Sequence, residues 1–359
     1  MKTIQKINTS VNELAETSIS KGKKRRFILL VEQFSLKTFT SLNAAGRASS
    51  HNRYTGENRV RRAILDCSLA KTLSDAIIKK VFSKLNGYVF CSLDHSQFGP
   101  FCIAVLAVSF RKGRAIPIWC QVSKSEGALI APLVAELEQL FLKLPQINPN
   151  LKLVLVMDRW FASQRLFNLF VKHNIYFIAR TKSDKKIRLP WDTSWQRTKI
   201  LEVSLEEVGI VYCKHELRLV RSTYDEDKRK ETDTEPWFLM TNLPIPSSKG
   251  GGDGFTRRQI LNRYRERFEI EEAFKDIKWL NRLEWQQIRK PEVIFSLLTF
   301  VFFGRWLLWW IVVPALRHIV KYKTHPKKTL SWFREAWEHL ELLRHVDILD
   351  ISLLGWEKK

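Results

Sequence analysis

A phenol, a guanidinium, a carboxylate and an ammonium recur at helical intervals near residue 270: Tyr264, Arg267, Glu271 and Lys278. At about 100° per residue, with Tyr264 at 0°, Arg267 falls near −60°, Glu271 near −20° and Lys278 near −40°, so all four leave a helix from one arc about 60° wide. Ile270, Ala273, Phe274 and Ile277 take the neighbouring arc, and Arg265, Glu269, Glu272 and Asp276 the remainder. That division gives an apolar stripe for a core and a charged side for water. A single helix running from about Phe255 to Leu280 would therefore hold a carboxylate, two cations and a phenol at the rim of a site. The same spacings also serve ordinary ion pairing on a solvated helix, so the choice depends on the rest of the chain.

Two aspartates sharpen it. Asp94 follows the apolar run Tyr88–Leu93, and Asp158 follows Leu151–Met157. Strand ends in an open sheet are where ligands and catalytic groups gather. If these two strands are neighbours, their carboxylates meet at one edge, and Glu271 supplies a third. Three grouped carboxylates repel one another unless hard cations hold them. Mg²⁺ or Mn²⁺, bound through carboxylates together with substrate phosphate and water, suits the donors, and two ions suit an in-line phosphoryl displacement. One Asp after a strand is ordinarily a turn former or a helix cap; it is the joint pattern that points to a site.

The elements that must position these groups alternate as in an α/β fold. Three strands with short turns (Tyr88–Leu93, Phe101–Phe110, Ala115–Val122) read as an antiparallel meander. A helix over Leu129–Leu144, the strand Leu151–Met157, a helix over Phe161–His173 and the strand Ile175–Arg180 complete a mixed sheet with helices on its faces. Residues 1–86 form a helical, basic N-terminal region, with helices in 21–34 and 66–85 and a loop at 41–62, where Ser, Gly, Asn and Arg crowd. Lys21, Lys23, Lys24, Arg25 and Arg26 are its candidate DNA contacts; no helix-turn-helix signature stands out. The core runs over 87–183, a β-rich insertion with the terminal strand 237–243 over 184–254, the core again over 255–310, and a helical C-terminal region over 311–359.

Composition points the same way. The chain has 359 residues, 60 Lys and Arg against 37 Asp and Glu, and a formal charge of +23. Such an excess implies a polyanionic partner, most simply nucleic acid, and 13 Trp residues suit base stacking as well as cores. The five cysteines are odd in number and include no Cys-x-x-Cys pair, which favours free thiols in a reducing, cytoplasmic compartment over disulfides or zinc. The N-terminus has no apolar signal region. Val293–Val313 has the length of a membrane span, but Arg305 near its middle would be costly in lipid. A buried helix on the sheet is expected, with no membrane partner.

Together these residues resemble the RNase H-like DDE transposases, specifically the bacterial insertion-sequence family (insertion-sequence-four type) with the signature Tyr-(2)-Arg-(3)-Glu-(6)-Lys, which Tyr264, Arg267, Glu271 and Lys278 match without a gap. Asp94 in Leu-Asp-His-Ser matches the family's first aspartate. Asp158 in Met-Asp-Arg-Trp-Phe matches the second, with Trp160 where the family usually has glycine. The resemblance covers about residues 85–310. It implies an RNase H-like mixed sheet interrupted by the β-rich insertion. It also implies Asp94, Asp158 and Glu271 as a catalytic triad on two Mg²⁺ or Mn²⁺ ions, and Tyr264, Arg267 and Lys278 as phosphate holders. Trp237 would stack on a flipped base, and Arg159 and Arg180 would contact DNA backbone. The implied partners are the terminal inverted repeats and target DNA, bound by a nucleoid-associated homodimer. The implied activity is cut-and-paste transposition through a DNA hairpin; the alternative is a catalytically silent, DNA-binding inhibitor of transposition.

Overall fold

A computed structural model of the chain describes residues 9–13, 19–20, 23–36, 41–49, 52–109, 115–198, 207–222, 236–246, 254–280 and 288–307. Lys21 and the expected C-terminal helices over 311–359 lie outside them.

The centre is a sheet of eight strands. β1 (Gly87–Phe98), β2 (Phe101–Ser109) and β3 (Ala115–Ser123) form the expected antiparallel meander. Gly99, at φ +55°, takes the left-handed conformation in the β1–β2 turn that a side chain would resist. α5 (Ile130–Ile147) returns the chain to β4 (Leu151–Met157), which pairs parallel to β1. α6 (Gln164–Lys172) then leads to β5 (Tyr176–Thr181), parallel to β4. Strands buried on both faces read as continuous apolar runs, and β2 and β4 are almost wholly buried.

The stretch read as an insertion adds to this sheet. After a small ribbon of β6 (Lys186–Ile187) and β7 (Gln196–Arg197), β8 (Glu207–Tyr212), β9 (His215–Arg221) and β10 (Phe238–Thr241) form an antiparallel set, and β10 pairs with β5. The order is β3-β2-β1-β4-β5-β10-β9-β8: a mixed sheet flanked by helices, consistent with an RNase H-like α/β fold.

Ahead of the sheet, besides a helical stretch at 9–13, the described residues form α1 (Lys24–Leu30), continued by a π-helical stretch Val31–Leu36, then α2 (Leu42–Ala48), α3 (Arg53–Ile64) and α4 (Cys67–Phe82). The loop expected at 41–62 is thus largely helical. Ser41 and Asn52 act as N-caps, accepting from Ala44 N and Thr55 N at 3.3 and 3.2 Å. Gly46 and Gly56 are not breakers here: a Cβ on Gly56 would lie 2.0 Å from Gly46 O, so they mark where α2 and α3 cross.

After the sheet the described residues form α7 (Arg257–Arg265), α8 (Phe268–Leu280) and α9 (Pro291–Leu307). The expected packing of the 293–313 segment holds as far as residue 307: α9 is buried from Val293 onward, apart from Phe295, and lies against β3, α4 and the π-helical stretch. Arg305 is 2 % exposed and sits 3.7 Å from Asp276 on α8, so a partner meets the charge. No helix among the described residues is long and apolar enough to cross a membrane. All five cysteines are free, three of them buried.

α9 and the N-terminal region meet at Gly304, where a Cβ would lie 2.4 Å from Ser35 O, while Ser35 Oγ donates to Phe300 O at 2.6 Å. Backbone that close cannot give way as a flexible side chain would. Gly304→Ala is expected to lower stability by about 1–3 kcal/mol through overpacking, measurable by urea denaturation; an unchanged midpoint would show that the contact relaxes freely.

Candidate active site

Parallel pairing of β1 with β4 ends at Leu93 and Met157. The next residue on each strand is an aspartate, so Asp94 and Asp158 stand side by side just beyond the last paired residues. The condition set by the sequence, that their strands be neighbours, is met. One detail differs: Asp94 lies within β1 and not after it, because pairing with β2 continues to Phe98 and sets Asp94 opposite Val105. Asp94 is consequently 7 % exposed, and its Oδ1 accepts from His95 N at 2.8 Å. Asp158 caps the 3₁₀ turn Arg159–Phe161, accepting from Arg159 N at 2.6 Å.

The single helix expected over 255–280 is two. Between α7 and α8, Arg267 N, Glu269 N and Ile270 N donate to carbonyls three residues back, which tightens the chain into a turn at Glu266–Arg267. The stripe of Ile270, Ala273, Phe274 and Ile277 is buried as expected, against a cluster that includes Phe98, Ile103 and Val105. The turn re-aims the two halves. Tyr264, expected on the site's arc, is fully buried with Phe90, Val154 and Trp237; its ring is a large apolar body and the core claims it. Burial pushes its phenol up to about 12. Arg267 sits in the turn, 5 % exposed, with Nη1 2.5 Å from Asp94 Oδ2 and Nη2 2.9 Å from Glu271 Oε1.

Asp94, Asp158, Arg267, Glu271 and Lys278 line one open basin, with Lys278 Nζ 5.2 Å from the centre of the Phe98 ring. Around Asp158 the surface is cationic: Arg159, Lys182 and Lys185 share its recess, and Arg180 lines the adjoining one. Lys182 and Lys185 were missed in the sequence, although the basic run after Arg180 marks them. His95 was missed as well. Its ring packs at a 32° tilt on Trp160, the residue in the glycine position, with centroids 4.5 Å apart, which ties the Asp94 and Asp158 segments together.

Other sequence candidates lie apart from the basin. Trp237 is 4 % exposed, in edge contact with Tyr264 at 5.0 Å and near Phe268 at 6.1 Å, so as placed it offers no open face for stacking. Lys23 and Arg26 pair with Asp66, at 3.6 and 3.1 Å. Burial would raise the Asp66 carboxyl, but the Ser68 hydrogen bond and the two cations outweigh it and hold it below its usual value. Lys24 is partly exposed and Arg25 exposed.

Burial raises the Asp94 carboxyl above its usual value; Arg267 and the His95 N–H oppose this, and neighbouring Asp158 adds to it. Burial disfavours charge on Arg267 too, but Tyr264, Asp94, Glu271 and Asp158 together raise its pKa above that of an ordinary guanidinium. The donors suit a hard divalent cation: three carboxylates of which two are adjacent, with the Glu271 side chain 43 % exposed and turned to the basin. Among the described residues no three acidic, His or Cys side chains converge as a finished metal site, since the Arg267 guanidinium lies between Asp94 and Glu271. The residues fit the ion in kind.

The model of one protein family, described as the transposase DDE domain, matches residues 104–307, more than half of the chain. The match takes in Asp158 and Glu271 and begins ten residues after Asp94. No curated protein matches the chain. With the site's carboxylates at the end of a mixed sheet and this match across it, the chain belongs to the family of transposases with a DDE domain.

Proposed function

We propose that this transposase belongs to the bacterial insertion-sequence branch with the Tyr-Arg-Glu-Lys signature and carries out cut-and-paste transposition. The observation that supports this most is the adjacency of Asp94 and Asp158 beyond the last β1–β4 pair, with Glu271 reached through Arg267. In this reading Asp94, Asp158 and Glu271 hold two Mg²⁺ or Mn²⁺ ions. When bound, the ions supply activation of the attacking oxygen and stabilisation of the leaving oxygen.

The chain's own residues then bind and orient the DNA. Arg267 passes from Asp94 and Glu271 to a phosphate, as a fork matched to its oxygens, and Lys278 supplies a point charge beside it. Arg159, Arg180, Lys182 and Lys185 carry the backbone past Asp158. Hydrolysis frees a 3′-OH at the element's end. That hydroxyl attacks the phosphorus of the opposite strand, forming a hairpin and displacing the flanking strand's 3′-oxygen. Hydrolysis of the hairpin frees the 3′-OH again, and that hydroxyl attacks a target phosphorus and displaces a target-strand 3′-oxygen. Base capture by Trp237 requires the half-exposed Phe268 ring to leave its side, and Tyr264 serves the site as a buried support under the α7–α8 turn. Synapsis of two terminal repeats calls for a homodimer, working in the cytoplasm at the nucleoid.

The test is cleavage of labelled duplexes that carry the repeats flanking the gene, in Mg²⁺. Wild type is expected to cut; Asp94→Ala and Glu271→Ala are expected to bind the duplex and leave it intact. Binding without cutting by wild type, in Mg²⁺ and in Mn²⁺, would instead favour a silent DNA-binding relative that inhibits transposition.

A further inference from the structure

We infer that α3 is the helix with which this chain reads base sequence, lying in the major groove of duplex DNA. The inference takes its partner class from the transposase reading, and its geometry comes from the N-terminal helices alone. α2 and α3 are joined by residues 49–52 and cross at Gly46 and Gly56, where a side chain on either would meet the other helix's backbone. Two short helices four residues apart in sequence and packed on each other match the helix-turn-helix arrangement, in which the second helix enters the groove. Glycines make the crossing contact, and the apolar marks of α3 are confined to Val60, Ala63 and Ile64.

The two sides of α3 differ sharply. Gly56, Val60, Ala63 and Ile64 are buried, at 0–1 % exposure for the three larger residues. At about 100° per residue they fill the arc from 180° to 280°, counted from Tyr54. Tyr54, Thr55, Asn58, Arg59, Arg61 and Arg62 occupy the arc from about −20° to 140°; all are exposed except Asn58, which is half-buried. No carboxylate shares that arc. Tyr54 is 78 % exposed, an aromatic ring held in water among arginines. Asn matches adenine and Arg matches guanine edge to edge in the major groove, and Thr and Tyr add hydroxyls. At 12 residues, the helix is about 18 Å long, enough to lie along a groove about 12 Å wide.

The charges on this face are available. Arg61 donates to Asn43 Oδ1 at 3.0 Å, a neutral partner, and Arg59 and Arg62 have no carboxylate partner among the described residues. Lys23 and Arg26, by contrast, are tied to Asp66. Sequence reading therefore moves from the 21–26 run to α3, with Tyr54 and Asn58 toward bases and Arg59 and Arg62 toward phosphates.

The experiment uses the full-length protein and a pool of duplexes with 20 randomised base pairs. Wild type is expected to enrich a consensus. On the enriched duplex, Tyr54→Ala/Asn58→Ala is expected to lose about 10–100-fold in preference over a scrambled duplex while its non-specific affinity stays unchanged. Arg59→Ala/Arg62→Ala is expected to weaken both duplexes and reduce the log–log salt slope by about 2. These side chains lie outside the core, and matching thermal melts check the fold. The inference is overturned if the first variant keeps wild-type discrimination, or if wild type enriches nothing. Catalysis is judged separately: enrichment without Mg²⁺-dependent cutting would leave α3 standing and remove the transposition reading, whereas cutting with undiminished discrimination by the variants would do the reverse.

Discussion

Arg267→Met is expected to lower the unfolding free energy by about 3–5 kcal/mol in metal-free buffer, the usual cost of removing one partner of a buried ion pair. Methionine keeps most of the volume and removes the charge. Asp94 is then left beside Asp158 and 7 % exposed, with the His95 N–H as its remaining donor among the described residues. The direction with pH follows. Burial already raises the Asp94 carboxyl, and losing Arg267 raises it further, so the penalty applies where Asp94 is ionised and recedes as pH falls through its folded value. Mg²⁺ offers a second route to neutralising the same carboxylates. An ion that binds only the folded protein adds about 2.7 kcal/mol at 100 times its dissociation constant, so Mg²⁺ is expected to restore part of the variant's loss and to stabilise wild type less. Urea titrations with and without Mg²⁺ check both points. A loss below about 1 kcal/mol would mean that the Arg267–Asp94 pair behaves like a solvated one.

The second large effect concerns Asp158. Asp158→Cys is expected to reduce Mg²⁺-dependent cleavage by roughly 10³-fold and to regain activity in Mn²⁺, because a thiolate is a poor ligand for Mg²⁺ and a better one for a softer ion. Asp158 also caps the turn at Arg159, so a separate stability loss of about 1 kcal/mol accompanies the change. The metal switch distinguishes the two roles: a lost cap alone lowers activity equally in both ions. Full activity of Asp158→Cys in Mg²⁺ would remove Asp158 from the ligand set.

Much of this was legible in the sequence, for identifiable reasons. The meander and β4 stood out because strands buried on both faces are written as unbroken apolar runs. The stripe from Ile270 to Ile277 stood out because helical periodicity records which side meets a core. The turn at Glu266–Arg267 was hidden, since the periodicity continues across it and the Arg267–Asp94 contact made there joins residues 173 apart. Tyr264 misled because a phenol counted among charged groups looks like a ligand, while its ring is better buried beside Trp237. α2 and α3 read as loop in the sequence because small residues that let two helices touch also look like breakers. Pairing between β5 and β10 joins residues about 60 apart, and local pattern carries no record of it.

That last pairing governs what can be exchanged between relatives. If residues 184–254 were cut out and the chain rejoined by a short turn, β5 would become an outer strand with its amides and carbonyls unpaired, inviting intermolecular β-association. Thr241 Oγ1 and Asn242 Nδ2 would also stop bonding to Phe177 O and Ile175 O. This stretch is therefore not a detachable module: a chimera that swaps it must carry β8, β9 and β10 across whole, in register with β5, or forfeit the strand next to the one that leads into Asp158.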